Sequence, residues 1–147
     1  PASSFFTGLW STALGEDELL TGASFPVWDG RCGFAVEEFA RRHGDYAIAG
    51  VALAVQLDER GVVQRCGIAL FGMASTPVRA AAAEAAAAGV AAADVDVEDL
   101  GRLAAAEPDD VPADLHGTAA YRRRVCAAVV GRAWSSAVGE ALGGSDG

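Results

Sequence analysis

The sequence of 147 residues contains no lysine, only 2 histidines and 3 cysteines, and no long apolar run. A phosphate-binding P-loop needs a lysine after its glycines, so the missing lysine excludes that class of nucleotide site. The histidines, His43 and His116, lack metal-ligand spacing, and no Cys-x-x-Cys pair occurs. The sequence therefore predicts no metal site, and both histidines are expected on the surface or in loops.

Positive charge is also scarce, because the chain has 20 acidic and only 11 basic residues, which gives a net charge of −9. A nucleic-acid-binding domain has a basic footprint, so we expect no nucleic-acid partner. The longest apolar run, Ala47 to Val55, is far shorter than the roughly 20 residues that span a membrane. The widely spaced Cys32, Cys66 and Cys126 predict reduced, mostly buried thiols and a cytoplasmic setting.

Apolar residues are abundant, at 52% of the chain, which predicts a folded domain with a substantial core. The N-terminus shows no signal-peptide pattern. The chain begins at Pro1 rather than at a methionine. We therefore expect it to be processed or to be a fragment of a longer protein.

A strand pair is the clearest local pattern. Val51, Leu53, Val55 and Leu57 recur at every second position, which is the period of a strand between about Tyr46 and Leu57. A short turn at Asp58–Gly61 follows, and a partner strand is predicted over residues 62–73. The second half of that strand is apolar on both faces, which predicts a central strand covered on both sides.

The remaining elements are predicted from shorter signals. One strand is expected over Glu18–Phe25, ended by Pro26, and another over residues 33–41. A first helix is predicted to follow a Thr76 cap and to run to Ala88. Two more helices are predicted, over residues 98–106 and over residues 118–138. Strands followed by helices predict an α+β fold, in which an antiparallel sheet of three to four strands is covered on one face by three helices.

The last predicted helix is apolar on two sides. Tyr121, Val125 and Val129 form one stripe, whereas Val130 and Trp134 lie opposite. One side would pack on the sheet of the domain. The other would meet a neighbouring domain or subunit, or Trp134 would simply cover the edge of the core.

The densest group of functional side chains lies in Arg41–Tyr46, between two predicted strands. Loops that join rigid strands often carry function, and a tyrosine there can stack on a flat ring. The alternative is an ordinary β-turn with an Arg–Asp pair.

This loop is also where the sequence resembles a known family. Four stretches, in the same order, resemble the flavin-binding medium subunit of molybdenum hydroxylases, the xanthine dehydrogenase and carbon monoxide dehydrogenase family. The first consists of Phe5-Phe6-Thr7-Gly8, Thr12-Ala13-Leu14 and Glu18-Leu19-Leu20-Thr21, and the others are residues 37–49, 72–80 and 114–123.

The resemblance implies an α+β C-terminal domain and a bound FAD. It implies cofactor-binding roles for Arg42, Gly44, Asp45 and Tyr46, with Tyr46 covering or flanking the flavin ring, and it implies no catalytic residue. It also implies two partner subunits, a large one with the molybdenum cofactor and a small one with [2Fe–2S] clusters. The flavin would pass electrons from the clusters to an acceptor.

The resemblance further divides the chain. Residues 1–29 would be the tail of a preceding FAD-binding domain and a linker, and residues 30–147 would be the C-terminal domain. The family's glycine-rich pyrophosphate segments are absent, so we expect a truncated flavin subunit that shares FAD with a missing upstream domain and is not catalytically complete alone. The alternative is a non-catalytic interaction module without a cofactor.

Overall fold

A computed structural model describes residues 1–143. The chain opens with a short helix, α1 (Ala2–Phe5), and a small hairpin of β1 (Phe6–Gly8) and β2 (Ser11–Thr12). A stretch without regular structure then leads to the main sheet.

The main sheet has four antiparallel strands in the order β3 (Arg31–Phe39), β4 (Ala49–Leu57), β5 (Val63–Phe71) and β6 (Val78–Arg79). The predicted alternation is confirmed, because Val51 and Val55 are buried and Ala52 between them is exposed. The turn between β4 and β5 closes where the Gly61 amide donates to the Asp58 carbonyl, with Gly61 at a φ of 79°.

Three helices cover one face of this sheet. They are α2 (Ala81–Ala87), α3 (Val97–Ala106) and α4 (Ala119–Gly143), with a 3₁₀ turn at Ala92–Asp94. Helix α4 packs on β3 and β4, α2 packs on β5, and α3 packs on α4 and α2. The predicted α+β fold, an antiparallel sheet with helices on one face, is confirmed.

Glycines allow the two closest approaches in the core. A Cβ on Gly33 in β3 would lie 1.8 Å from the carbonyl oxygen of Ala137 in α4. A Cβ on Gly101 in α3 would lie 2.5 Å from the carbonyl oxygen of Ala127. Helix α4 is thus seated directly on the backbones of a strand and of a second helix.

The opposite face of the sheet is open, which contradicts the prediction that β5 is covered on both sides. Ala69 in β5 is exposed, and the side chains of Phe34 and Val36 on β3 are 53% and 71% exposed. All three long helices lie on one side, so no helix or strand within residues 1–143 forms a layer over the outward positions of β5. Small residues at these positions, such as Ala69, look apolar in sequence without being buried.

The predicted strand over Glu18–Phe25 is wrong. These residues have no regular structure, and Leu19 and Phe25 are almost fully exposed. The free edge of β3 offers no complete ladder to pair with, because the Phe34 amide there donates to a Glu140 carboxylate oxygen at 2.7 Å. Without a partner strand in the described part of the chain, residues 18–25 do not form a strand.

The predicted start of the first helix is also wrong. Val78 and Arg79 pair with Leu70 and Ala69 as strand β6, so α2 begins only at Ala81. The Ile68 amide, just past this pairing, donates to the buried Glu84 carboxylate instead, at 2.8 Å. The Glu84 side chain of α2 thus supplies an acceptor for the Ile68 amide of β5, beyond the end of the short strand β6.

Helix α4 begins after Thr118, as predicted, and the Thr118 hydroxyl accepts a hydrogen bond from the Tyr121 amide at 3.1 Å. It extends to Gly143, five residues beyond the predicted end. Both apolar sides are covered by the chain itself, one by the sheet and the other by α3. Trp134 is 2% exposed and belongs to the core.

No helix within residues 1–143 combines the length and apolar character needed to cross a membrane.

Candidate functional site

The loop between β3 and β4 is held by its own hydrogen bonds. Gly44 adopts a φ of +81°, which lets the Asp45 amide donate back to the Arg42 carbonyl at 3.1 Å. One Asp45 carboxylate oxygen accepts the Tyr46 amide at 3.0 Å, and the other lies 3.8 Å from the Arg41 guanidinium. These bonds fix the backbone from which the Tyr46 ring projects.

A second loop, after β5, presses against the first. Gly72 has a φ of +72°, and a Cβ there would lie 2.6 Å from the Ala47 carbonyl oxygen. Only glycine permits both this conformation and this distance between two backbones. The residues after Gly72, through Pro77, form the neighbouring wall of the site.

Arg122, near the start of α4, connects the loop before β4 with the loop after β5. Its side chain is buried, and one terminal nitrogen donates to the carbonyl oxygens of Ile48 at 2.7 Å and Gly72 at 3.3 Å. The other terminal nitrogen donates to the Asp114 carboxylate at 2.8 Å. A buried guanidinium thus satisfies acceptors from three separate segments.

Asp114 belongs to a tight turn that precedes α4. Its carboxylate accepts the His116 amide at 2.8 Å as well as the Arg122 guanidinium. The hydrogen bond from the His116 amide and then the one from Arg122 hold the pKa of the Asp114 carboxyl below its usual value. The carboxylate is therefore ionised at neutral pH.

These loops enclose a cavity of about 650 Å³. Its lining includes residues from, or next to, all four stretches that carry the family resemblance, although these are far apart in sequence. The lining residues are Leu9, Trp10, Arg41, Asp45, Tyr46, Ala47, Ile48, Phe71, Gly72, Ala74, Ser75, Thr76, Pro77, Pro112, Asp114, His116 and Arg122.

Two exposed aromatic rings stand at this cavity. The side chains of Trp10 and Tyr46 are 80% and 77% exposed. Their ring centroids are 5.7 Å apart and their planes are at 85°, an edge-to-face arrangement. The hairpin of β1 and β2 thereby meets the loop before β4.

The four sequence-predicted residues are not all placed alike. Asp45 and Tyr46 line the cavity, whereas Arg42 and Gly44 lie in the exposed part of the same turn and shape it. His43 and His116 are exposed, and among residues 1–143 no group of side chains has the makeup of a metal site.

Most of the lining was not predicted as a site, and the residues missed include Trp10, Asp114 and Arg122. A signal for Arg122 existed, because it precedes Cys126, Val129 and Val130 at helical spacing and so continues the buried stripe of α4. The sequence contained no comparable signal for Trp10, since its position depends on the packing of the hairpin.

The structure defines a class of protein: an α+β domain with a one-sided sheet whose loops form an open, aromatic-edged cavity. A sequence profile of the CO dehydrogenase flavoprotein C-terminal domain matches residues 34–137. The chain belongs to this family, and the resemblance noted from its motifs is confirmed.

Individual relatives agree. The chain is 36% identical over 121 residues to the 6-hydroxypseudooxynicotine dehydrogenase complex subunit alpha of Paenarthrobacter nicotinovorans, covering 82% of this chain and 40% of that one. It is 31% identical to the carbon monoxide dehydrogenase medium chain of Hydrogenophaga pseudoflava, covering 93% and 47%.

A solved structure of carbon monoxide dehydrogenase from Hydrogenophaga pseudoflava superposes with a TM-score of 0.86 at 34% identity, covering 95% of this chain and 48% of that one. The chain thus spans less than half the length of the relatives it matches.

Proposed function

We propose that this chain forms one wall of the flavin site in an FAD-binding subunit of a molybdenum-containing hydroxylase or dehydrogenase. The observation that carries the proposal is the cavity at which the four family-like stretches converge, with Tyr46 at its edge. Within the proposal, residues 30–147 are the C-terminal domain and residues 1–29 belong to a preceding FAD-binding domain and linker. Residues 144–147 lie outside the described part.

The cavity suits a flat, mostly apolar ring system with polar edges. Its volume of about 650 Å³ lies within the range of small-molecule sites, roughly 300–1,000 Å³. Its walls combine aromatic rings with a few polar groups, among them Asp45, Thr76 and Arg122. The buried Nε of Arg122 has no hydrogen-bond partner among residues 1–143, and Arg122 is one of the residues that line the cavity.

Each predicted residue has a distinct task in this proposal. The Tyr46 ring covers or flanks the isoalloxazine ring. The Asp45 carboxylate holds the backbone of Tyr46 by accepting a hydrogen bond from the Tyr46 amide. Gly44 and Arg42 form the turn that projects these two residues. Bound FAD supplies the electron-carrying chemistry, and the chain positions it and limits its contact with water.

The partners in this proposal are a large subunit with the molybdenum cofactor and a small subunit with [2Fe–2S] clusters. The matched relatives are named as the alpha subunit of a dehydrogenase complex and as the medium chain of carbon monoxide dehydrogenase, which supports a multi-subunit setting. The three thiols of the chain are free, which supports a cytoplasmic location.

The alternative, a cofactor-free interaction module, drew its support from the two apolar sides of the last helix. Both sides are covered by the sheet and by α3 of the same chain, so that support is lost. The converging loops and their exposed aromatic rings favour a ligand site instead.

The test is an FAD titration of the purified chain, alone and mixed with the unmatched half of the Hydrogenophaga pseudoflava medium chain. Flavin fluorescence and absorption report binding. We expect weak or no binding by the chain alone and stoichiometric binding when both pieces are present. Tyr46→Ala should weaken that binding, whereas Phe25→Ala, which removes an exposed aromatic ring outside the cavity lining, should not.

Two results would contradict the proposal. The first is that neither arrangement binds FAD while circular dichroism shows intact folding. The second is that Tyr46→Ala and Phe25→Ala bind FAD as the unchanged chain does. Tight stoichiometric binding by the chain alone would overturn the claim that the site is shared.

A further inference from the structure

We propose that Trp10 is a second ring-contacting residue of the site, so that Trp10 and Tyr46 together form an aromatic corner for the flavin ring. This inference rests on the proposed function and adds to it a residue from the hairpin of β1 and β2.

The backbone of Trp10 is the first reason. Trp10 has a φ of 61° and is the only residue other than glycine with a positive φ in the described part of the chain. A bulky side chain in this left-handed conformation is unfavourable, whereas glycine adopts it freely. The turn therefore gives no reason for a tryptophan at position 10, and strained residues concentrate at functional sites.

The hairpin that carries Trp10 is ordered by its own hydrogen bonds. Phe6 pairs with Thr12, and the Ala13 amide donates to the Phe5 carbonyl at 2.8 Å. The indole is therefore presented from a defined element. It is 80% exposed, so its ring contributes little to the core.

The second reason is the relation between the two rings. They are perpendicular within 5°, since the interplanar angle is 85°, and both line the cavity. A flat ligand ring that stacks on one of them presents its own edge to the face of the other, and both contacts are favourable for aromatic rings. The corner thus offers two aromatic faces to one planar ligand.

Stacking of a flat heterocycle on an aromatic side chain is removed by alanine substitution at a cost of about 5- to 150-fold in affinity. We therefore expect Trp10→Ala to raise the dissociation constant for FAD by at least about fivefold. Trp10→Phe keeps a ring and should lose less.

The experiment uses the chain together with the unmatched half of the Hydrogenophaga pseudoflava medium chain, titrated with FAD and separately with lumiflavin, which carries the flavin ring alone. Dissociation constants come from flavin fluorescence for the unchanged chain, Trp10→Ala, Trp10→Phe, Tyr46→Ala and the control Phe25→Ala. Tryptophan emission is followed in Trp10→Phe and Trp28→Phe. Trp28 lies elsewhere, with the Arg65 guanidinium 4.0 Å from its ring centroid.

A stability measurement separates a binding role from a structural one. Trp10→Gly relieves the left-handed strain, so it should leave the thermal midpoint unchanged or raised while it weakens flavin binding. If Trp10 only supported the fold, Trp10→Gly would lower the midpoint.

Two results together would support the inference. Trp10→Ala binds both FAD and lumiflavin more weakly, and most of the ligand-induced quenching of tryptophan emission is lost in Trp10→Phe but kept in Trp28→Phe. Unchanged affinity of Trp10→Ala, together with weaker binding by Tyr46→Ala, would overturn the inference and leave the proposed function standing. A loss seen with FAD and absent with lumiflavin would overturn the assignment to the ring. No binding by the unchanged chain would overturn both.

Discussion

The Arg122 guanidinium lies 2.8 Å from the Asp114 carboxylate on one side and 2.7 Å from the Ile48 carbonyl oxygen on the other. This single buried side chain thereby connects the start of α4 to the turn before it and to the loop that leads into β4. The floor of the cavity depends on this connection.

Replacing Arg122 with methionine should destabilise the domain by roughly 3 kcal/mol. The change leaves the Ile48 carbonyl buried without its donor and removes the partner of Asp114. Urea unfolding followed by far-UV circular dichroism measures the difference. Arg124→Met is the matched control, because Arg124 is exposed on the same helix, and it should change stability by less than about 0.5 kcal/mol. Equal effects of the two variants would contradict this account of Arg122.

The same contact predicts a dependence on pH. The pKa of the Asp114 carboxyl is lowered in the folded state, so its contribution to stability is present above the ordinary pKa of about 4. That contribution is lost as the pH falls through the lowered pKa. Asp114→Asn should therefore reduce the acid dependence of the urea midpoint between neutral pH and about pH 3. An unchanged acid profile would show that Asp114 does not contribute.

Gly33→Ala should destabilise the domain by more than about 3 kcal/mol, because the added Cβ would lie 1.8 Å from the Ala137 carbonyl oxygen. The neighbour is helix backbone, so α4 has to move away from β3. Gly139→Ala, in α4 and with no atom of residues 1–143 within 4 Å of its added Cβ, should instead stabilise by about 0.5–1 kcal/mol. Thermal unfolding of both variants gives the comparison, and a neutral Gly33→Ala would contradict the packing of α4.

Glu84→Ala should expose the Ile68 amide to exchange. The Glu84 carboxylate accepts this amide at 2.8 Å and also binds the Arg79 guanidinium. An unpartnered buried amide costs about 1–3 kcal/mol, whereas Arg79 is largely exposed and can be solvated. Hydrogen exchange at Ile68 should quicken in Glu84→Ala and change less in Glu84→Gln, which keeps a carbonyl acceptor. Equal protection in all three proteins would refute this role.

The buried thiols should make the domain sensitive to alkaline pH. Burial raises the pKa of Cys66 to about 12 and that of Cys126 to about 11. Because the folded state keeps these protons, their contribution to stability is complete below the ordinary thiol pKa and is lost as pH rises toward the raised values. Urea midpoints measured from pH 8 to 10 should fall less steeply for the double variant Cys66→Ala/Cys126→Ala than for the unchanged chain. Equal slopes for the two proteins would contradict the prediction.

The predictable part of the fold came from regular patterns. The alternation from Val51 to Leu57 and the turn at Gly61 identified β4 and β5, and the approximate ranges of α3 and α4 followed from their composition. Errors arose where an element depends on distant partners. Val78 and Arg79 became a strand because β5 offered them an edge, whereas residues 18–25 pair with no strand of the described chain and remained irregular.

The sequence by itself determined the fold class, the family and the loop that carries Asp45 and Tyr46, because periodicity, turn residues and short motifs are properties of neighbouring positions. Only the tertiary structure decided that this loop meets Trp10 and the turn at Asp114 around one cavity, with Arg122 buried beneath it. Those contacts join residues up to 74 positions apart. Their formation depends on how α4 packs against the sheet, which the local patterns do not contain.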